Sequence, residues 1–278
     1  MYYRVQSLKD ALVLKQKKSE QLVFLGGGTE IRRLASSVIQ RGVISLKDLK
    51  LDAIIRTDDQ LSIGALTTFQ QALDSPFTPP FLAEALRFCG SKTRRNMATI
   101  GGNIATSRDD SYLMSTLVAA KARVLLCNLS QNGKVVEENL PIREYHFFFD
   151  HFQDSLITAV VLNKPQRFVS SLRFAKTVQS PAALTISFGA DISSASARDV
   201  RICAAIKGSN VVRLVELEEA ISTAVYQSPS DVTSADLREV TFVDDITGSA
   251  AYKRYLVQIA VSELYGRCLQ AIKAGGTV

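Results

Sequence analysis

The chain has 278 residues, of which 46% are hydrophobic and 22% charged, with a formal net charge of +6. That balance is ordinary for a folded globular protein and excludes wholesale disorder, and the length suits two or three lobes better than one small core. No run approaches the roughly 20 apolar residues of a membrane span. The N-terminal stretch has charges inside its apolar part and no small-residue cleavage site, so a cytoplasmic location is expected.

In chain order, SLKDALVLKQKK (7–18) places Leu8, Ala11, Leu12 and Leu14 near helical spacing behind a possible Ser7 cap. QLVFLGGG (21–28) reads as a short strand running into glycines, TEIRRLASSVIQ (29–40) as an irregular or helical path, and GVISLKDL (42–49) as another strand. DAIIRTDDQLSIGALTTFQQAL (52–73) reads as two strands joined at TDDQ, followed by a helix capped by Thr67 or Thr68. A helix over FLAEALRFCG ends at Gly90, the segment ATIGGNIA (98–105) reads as a loop, and a helix follows around 111–120. ARVLLCN (122–128) and LITAVVL (156–162) are strands, with Pro165 helping to end the latter. VSSLRFAKTV, ALTISFGADIS and DVRICAAIKG are spaced as an antiparallel meander of three strands. The closing helix AAYKRYLVQIAVSELYGRCLQAI is read with Tyr255, Ile259, Leu264 and Cys268 on one face.

Cys89, Cys127, Cys203 and Cys268 stand far apart, without a C-x-x-C pair or a histidine at ligand spacing. They read as buried small hydrophobes, and neither a metal site nor a disulfide is expected. Basic residues occur in scattered groups (KQKK at 15–18, RR at 32–33, SKTRRN at 91–96) without interleaved aromatics, so nucleic acid is not expected as a partner. No Ser-His-Asp or Cys-His arrangement is visible. His146 and His151, in YHFFFDHF (145–152), read as surface or core residues rather than catalysts, and the aromatics as packing, with shielding of a ligand face or partner docking as alternatives.

Two glycine segments remain. LGGGTEI follows an apolar strand and offers consecutive backbone N–H groups without side chains, a nest suited to a diphosphate, with Thr29 adding a hydroxyl. TIGGN precedes a helix, so its amides are placed to cradle the same anion from the other side. Each segment alone suits a tight turn equally well. Neither carries the Lys-Ser/Thr pair of a nucleotide-hydrolysing P-loop or the G-x-G-x-x-G of a dinucleotide fold.

These segments, with LSIGALTTFQQAL, RRNMATIGGNIA, LPIREYHF, LITAVVL and GSAAYKRYLVQIAVSEL in the same order, resemble the flavin-binding medium subunit of molybdenum hydroxylases of the xanthine dehydrogenase and carbon monoxide dehydrogenase type. The resemblance runs through nearly the whole chain and implies an α+β fold. Its first part is a two-lobed FAD-binding domain of the PCMH (vanillyl-alcohol oxidase-like) type, with lobe 1 over 1–55 and lobe 2 over 56–167. A C-terminal α+β domain with a three-stranded antiparallel sheet and helices follows over 168–278. It further implies FAD as cofactor, an iron–sulfur subunit and a molybdopterin-binding subunit as partners in a hetero-oligomer, and NAD as a possible final acceptor. Matched motif by motif, the FAD-binding positions are Leu25, Gly26, Gly27, Gly28, Thr29, Glu30 and Ile31 in the first segment. Thr99, Gly101, Gly102 and Asn103 follow in the second, with Leu156 on the closing strand and Lys176 in RFAKT. No residue of the chain is assigned a catalytic role, because FAD carries the redox chemistry.

The sequence departs from the family pattern twice. Tyr112 stands where the family has an aspartate that fixes FAD; Asp109 and Asp110 read either as its substitutes or as helix caps, and a carboxylate facing the diphosphate would oppose binding. The arginine and aspartate common after the family's lysine are replaced by TVQSPAALT. The alternative reading is therefore a flavin-free structural subunit that keeps the fold and the interface. A nucleotide- or nucleic-acid-binding module rests only on charge and glycines.

Overall fold

The computed structural model describes residues 1–33, 41–88, 90–177, 180–193, 196–233 and 235–275. The expected path over 34–40, Cys89, residues 178–179 and the side chain of Tyr112 lie outside that description. The chain divides into two compact units: residues 1–78, 91–107 and 122–163 form the first, and residues 79–90, 108–121 and 164–278 the second.

The first unit holds two sheets. Strands β1 (Tyr2–Arg4), β2 (Leu22–Leu25) and β3 (Gly42–Ser45) form a parallel sheet in the order β1-β3-β2. The helix Leu8–Lys17 is opened by Ser7, whose hydroxyl accepts from the Asp10 amide. It buries Ala11 and Leu12 in one cluster with Val5, Leu22, Ile44 and Leu46. The strand β1 was not among the expected elements, since three residues are too few to show alternation.

The second sheet is antiparallel, with β4 (Ile54–Arg56), β5 (Leu61–Gly64), β6 (Arg123–Leu129), β7 (Val135–Pro141) and β8 (Leu156–Leu162) in the order β4-β5-β8-β6-β7. The central strand β8 is the nearly continuous apolar run LITAVVL, as burial on both faces requires. The edge strand β7, VVEENLP, keeps its glutamates in water and so lacks a readable pattern. After β5, Thr68 opens the helix Phe69–Asp74 with a capping box: its hydroxyl accepts from the Gln71 amide at 3.1 Å and its amide donates to the Gln71 side chain at 2.8 Å.

The second unit is built on β9 (Phe168–Ala175), β10 (Ala182–Ile192), β11 (Ala197–Ile206) and β12 (Val211–Arg213), all paired antiparallel in the order β12-β11-β10-β9. The sheet thus has four strands rather than the expected three, because the short β12 pairs with the end of β11. Alternation along β10 sorts the faces. Leu184, Ile186, Phe188 and Ala190 join the core formed with the helix Ala250–Lys273. On the other face, Ser187 joins Ser171 and the helix residues Ser115 and Thr116 in a buried cluster of hydroxyls.

The expected face of the long helix needs correction. Tyr255 and Ile259 are exposed, whereas Leu256, Val257, Ala260, Val261, Leu264, Tyr265 and Cys268 are buried. Tyr255 and Leu264 are nine positions apart, which at 3.6 residues per turn places them on opposite sides of the helix. Cys127, Cys203 and Cys268 are buried as expected. No helix among the described residues is long and apolar enough to cross a membrane.

Candidate functional site

The strand β2 delivers the chain at Leu25 into Gly26, Gly27 and Gly28, and the helix Thr29–Arg33 follows at once. Gly28 makes the bend with φ of +69°, in the left-handed region that favours glycine. Gly27 lies against the second segment so closely that an added Cβ would sit 1.5 Å from the carbonyl oxygen of Met97. One on Gly26 would lie 3.0 Å from the Thr99 hydroxyl. The fold therefore brings the two glycine segments together, with Met97 and Thr99 as the contact.

Their hydrogen bonding differs. Among the described residues, the backbone amides of Gly26, Gly27, Gly28 and Thr29 donate to no protein acceptor, and all four residues are at least partly open to solvent. Successive N–H groups without acceptors, three of them on glycines, are the makings of an anion-binding nest. Glu30 and Ile31 form the first turn of the helix behind it.

The second segment is not the expected loop. Residues Ile100–Ala105 are a short helix capped by Thr99, and the Thr99 hydroxyl accepts from the Gly102 amide at 3.1 Å. The amides of Ile100 and Gly101 donate to Thr67 and Ala65 carbonyls at 3.0 and 2.8 Å, and that of Asn103 to Thr99 at 3.0 Å. The expected cradle of amides on this side is absent because each donor from Ile100 to Asn103 is already taken. Gly101 serves packing, since an added Cβ would lie 2.6 Å from the Ala65 Cβ and 2.9 Å from its carbonyl oxygen. Gly102 is exposed, and its added Cβ would meet only the capping Thr99, at 2.7 Å from the hydroxyl. Asn103 is partly buried.

Leu156 opens β8 fully buried among Leu22, Ile44, Leu46 and Cys127. Lys176 belongs to the second unit, is exposed, and donates from Nζ to the Ile246 carbonyl at 3.0 Å. There it lines an open cleft of about 470 Å³ with Arg173, Phe174, Ile246 and Tyr252.

The two readings of Asp109 and Asp110 both yield to a third. Ser111, not an aspartate, caps the helix Tyr112–Ala119 by accepting from the Met114 amide. Asp110 is buried and pairs with Arg108, Asp109 accepts from the Gly208 amide at 3.0 Å, and Lys207 lies within 3.4 to 3.6 Å of both carboxylates. Nothing in RDDS announces these distant partners.

His146 is partly buried, and burial lowers its pKa. Its Nδ1 lies 2.8 Å from the hydroxyl of Ser107, beyond the end of the Ile100–Ala105 helix, and His151 is exposed. Tyr145 stacks on Phe152 in the interior, while Phe147 and Phe148 stand exposed. Sequence reasoning missed the carbonyls of Met97 and Ala65 as the groups that select glycine at 27 and 101. A backbone carbonyl is the same in every residue and leaves no signal.

Residues 1–165 match the family described as the FAD binding domain in molybdopterin dehydrogenase. The chain belongs to this family. Among relatives of this FAD-binding domain protein, the uncharacterized protein YgfM of Escherichia coli (strain K12) is 29% identical over 280 residues, covering 97% of this chain and 96% of its own. The nicotinate dehydrogenase FAD-subunit of Eubacterium barkeri is 31% identical over 132 residues, 45% of each chain. A chain of the Cu,Mo-CO dehydrogenase shares the fold over 98% of this chain and 97% of its own, with a TM-score of 0.81 at 19% identity. The likeness of fold thus extends past the matched domain into the second unit.

Proposed function

We propose that the chain is the FAD-binding subunit of a molybdopterin-dependent hydroxylase or dehydrogenase, receiving electrons from an iron–sulfur subunit and passing them through FAD to NAD or another acceptor. The observation that carries this is the run of unpaired amides from Gly26 to Thr29 inside the matched domain. The residues fit the cofactor there: four successive N–H groups have no acceptor among the described residues, and three of them belong to glycines that carry no side chain.

In this reading the amides of Gly26 to Thr29 bind the diphosphate, and the partial positive charge of oriented N–H groups offsets its charge. The Thr99-capped helix fixes the far wall, with Gly102 and Asn103 as its accessible residues. Leu156 supplies an apolar base, and Lys176 belongs to the same proposal as a further flavin-lining residue. Flavin, when bound, supplies the transfer of electrons between one-electron carriers and a hydride acceptor. The chain's own residues bind, orient and exclude water. The domain scheme of 1–55, 56–167 and 168–278, a cytoplasmic location, and assembly with iron–sulfur and molybdopterin-binding subunits belong to the same proposal.

The test is the visible absorption spectrum of the purified chain before and after FAD is added and the excess removed. Retained flavin absorbance, bleached by NADH, is the expected result; a folded, colourless chain would overturn it. A second reading, the flavin-free structural subunit, draws on the engagement of the amides at 100–103 and of Asp109 and Asp110 within the chain. It expects that colourless result together with normal co-purification of the partner subunits.

A further inference from the structure

Lys253 is the conspicuous polar residue of the second unit's core. It lies near the start of the helix Ala250–Lys273, and its side chain is completely buried. Both facts oppose stability, because burying an ammonium is costly unless all three N–H groups are satisfied, and a cation is disfavoured near a helix N-terminus. A methionine of similar length would fill the space without either cost.

Two backbone carbonyls accept from the ammonium, and one carboxylate lies at ion-pair distance. Nζ donates to the Lys207 carbonyl at 2.8 Å and to the Val243 carbonyl at 3.0 Å, and pairs with Asp245 at 2.9 Å. Asp245 in turn accepts from the amide of Thr247 at 2.7 Å and from its hydroxyl. The amides and carbonyls of Asp245 and Gly248 bond reciprocally at 3.1 Å, closing a turn with Ile246 and Thr247 at its tip. Burial works against the Asp245 charge, but the bonds from Thr247 and Lys253 outweigh it and hold the pKa at about 2. Asp245 is therefore a carboxylate at neutral pH.

From this turn the Ile246 carbonyl accepts from Lys176, and Ile246, Thr247 and Tyr252 form one wall of the 470 Å³ cleft. On the other side, Lys207 and Gly208 are held by Asp109 and Asp110, and an added Cβ on Gly208 would lie 2.6 Å from Val243. Direct contacts therefore run from Asp109 through Lys207 and Lys253 to Lys176, all within one unit.

We propose that Lys253 is a positioning residue, a buried clamp that joins the Lys207–Gly208 turn to the Asp245–Gly248 turn and through Ile246 holds Lys176 at the cleft wall. Its bearing on the cofactor rests on the reading that Lys176 lines FAD; the clamp itself does not. It also gives Asp109 and Asp110 a task, bracing the clamp from the outside.

The test uses the full chain without cofactor, with Lys253→Met and Asp245→Asn as independent breaks of the clamp. The acetylation rate of Lys176 by an amine-reactive ester is followed by mass spectrometry, with the exposed Lys134 as reference. Each variant is expected to acetylate Lys176 roughly fivefold faster, the protection that one hydrogen bond gives, with Lys134 unchanged. Amide exchange at Thr247 and Gly248 is expected to rise in parallel. A general loss of stability would move both lysines together and overturn the proposal, as would an unchanged Lys176 rate in both variants. With FAD added, Lys253→Met and Lys176→Met are expected to shift the flavin spectrum alike. If Lys176→Met leaves the spectrum untouched while the acetylation result holds, the clamp stands and the placement of Lys176 against flavin fails.

Discussion

The two glycine segments resemble each other in sequence and differ in what their backbones are doing. Among the described residues, the amides from Gly26 to Thr29 have no acceptor, whereas from Ile100 to Asn103 every amide has one. Yet glycine is sterically required in both, at Gly27 by the Met97 carbonyl and at Gly101 by Ala65. A glycine alone therefore says only that something comes close. The unpaired N–H groups say which segment still has a bond to make.

Substitutions can break this contrast or sharpen it. Gly27→Ala would press a methyl into the Met97 carbonyl, and a loss of about 3 kcal/mol in urea unfolding is expected together with loss of FAD binding. Next comes the ligand itself. Riboflavin, which lacks the diphosphate, is expected to bind at least about 100-fold more weakly than FAD in a fluorescence titration, because charge-assisted hydrogen bonds to the nest are missing. Equal affinities would remove the nest from the account. Gly101→Ala is expected to lower stability by about 2 kcal/mol through overpacking against Ala65, while the folded fraction keeps its FAD affinity. Thr99→Ala removes the helix cap, and about 1 kcal/mol of stability should go with it in the same unfolding assay.

The smallest effect concerns pH. His146, partly buried beside Ser107, has a folded pKa below its unfolded one, so the unfolded chain binds more protons as pH falls through the unfolded value near 6.5. The contribution of a neutral His146 is thus present at pH 8 and declines through pH 6.5 toward the lowered folded pKa. His146→Gln should flatten that part of the stability profile. An unchanged profile would mean that the histidine carries no proton linkage.

Much of the fold was legible where periodicity and caps agree. Ser7 opens its helix, LITAVVL is a strand, and the meander after residue 168 is a sheet. What failed has physical causes. The helix Ile100–Ala105 contains two adjacent glycines, which propensity argues against, and it forms because Thr99 caps it and the Ala65 and Thr67 carbonyls hold its first amides. The face of the long helix was misread because its buried stripe begins with a lysine, which sequence reasoning assigns to water. For the site, the glycine runs named two segments that the fold brings together, but which amides find an acceptor depends on residues dozens of positions away. The ties of Asp109 to Gly208 and of Lys176 to Ile246 are of the same long-range kind.

The most direct measurement is a titration of the ¹⁵N-labelled chain with FAD and, separately, with inorganic pyrophosphate, following backbone amide resonances. The account expects the amides of Gly26, Gly27, Gly28 and Thr29 to shift with both ligands while those of Ile100 and Gly101, bonded to Thr67 and Ala65, stay nearly fixed. Shifts confined to the second segment, or none in the first, would contradict it.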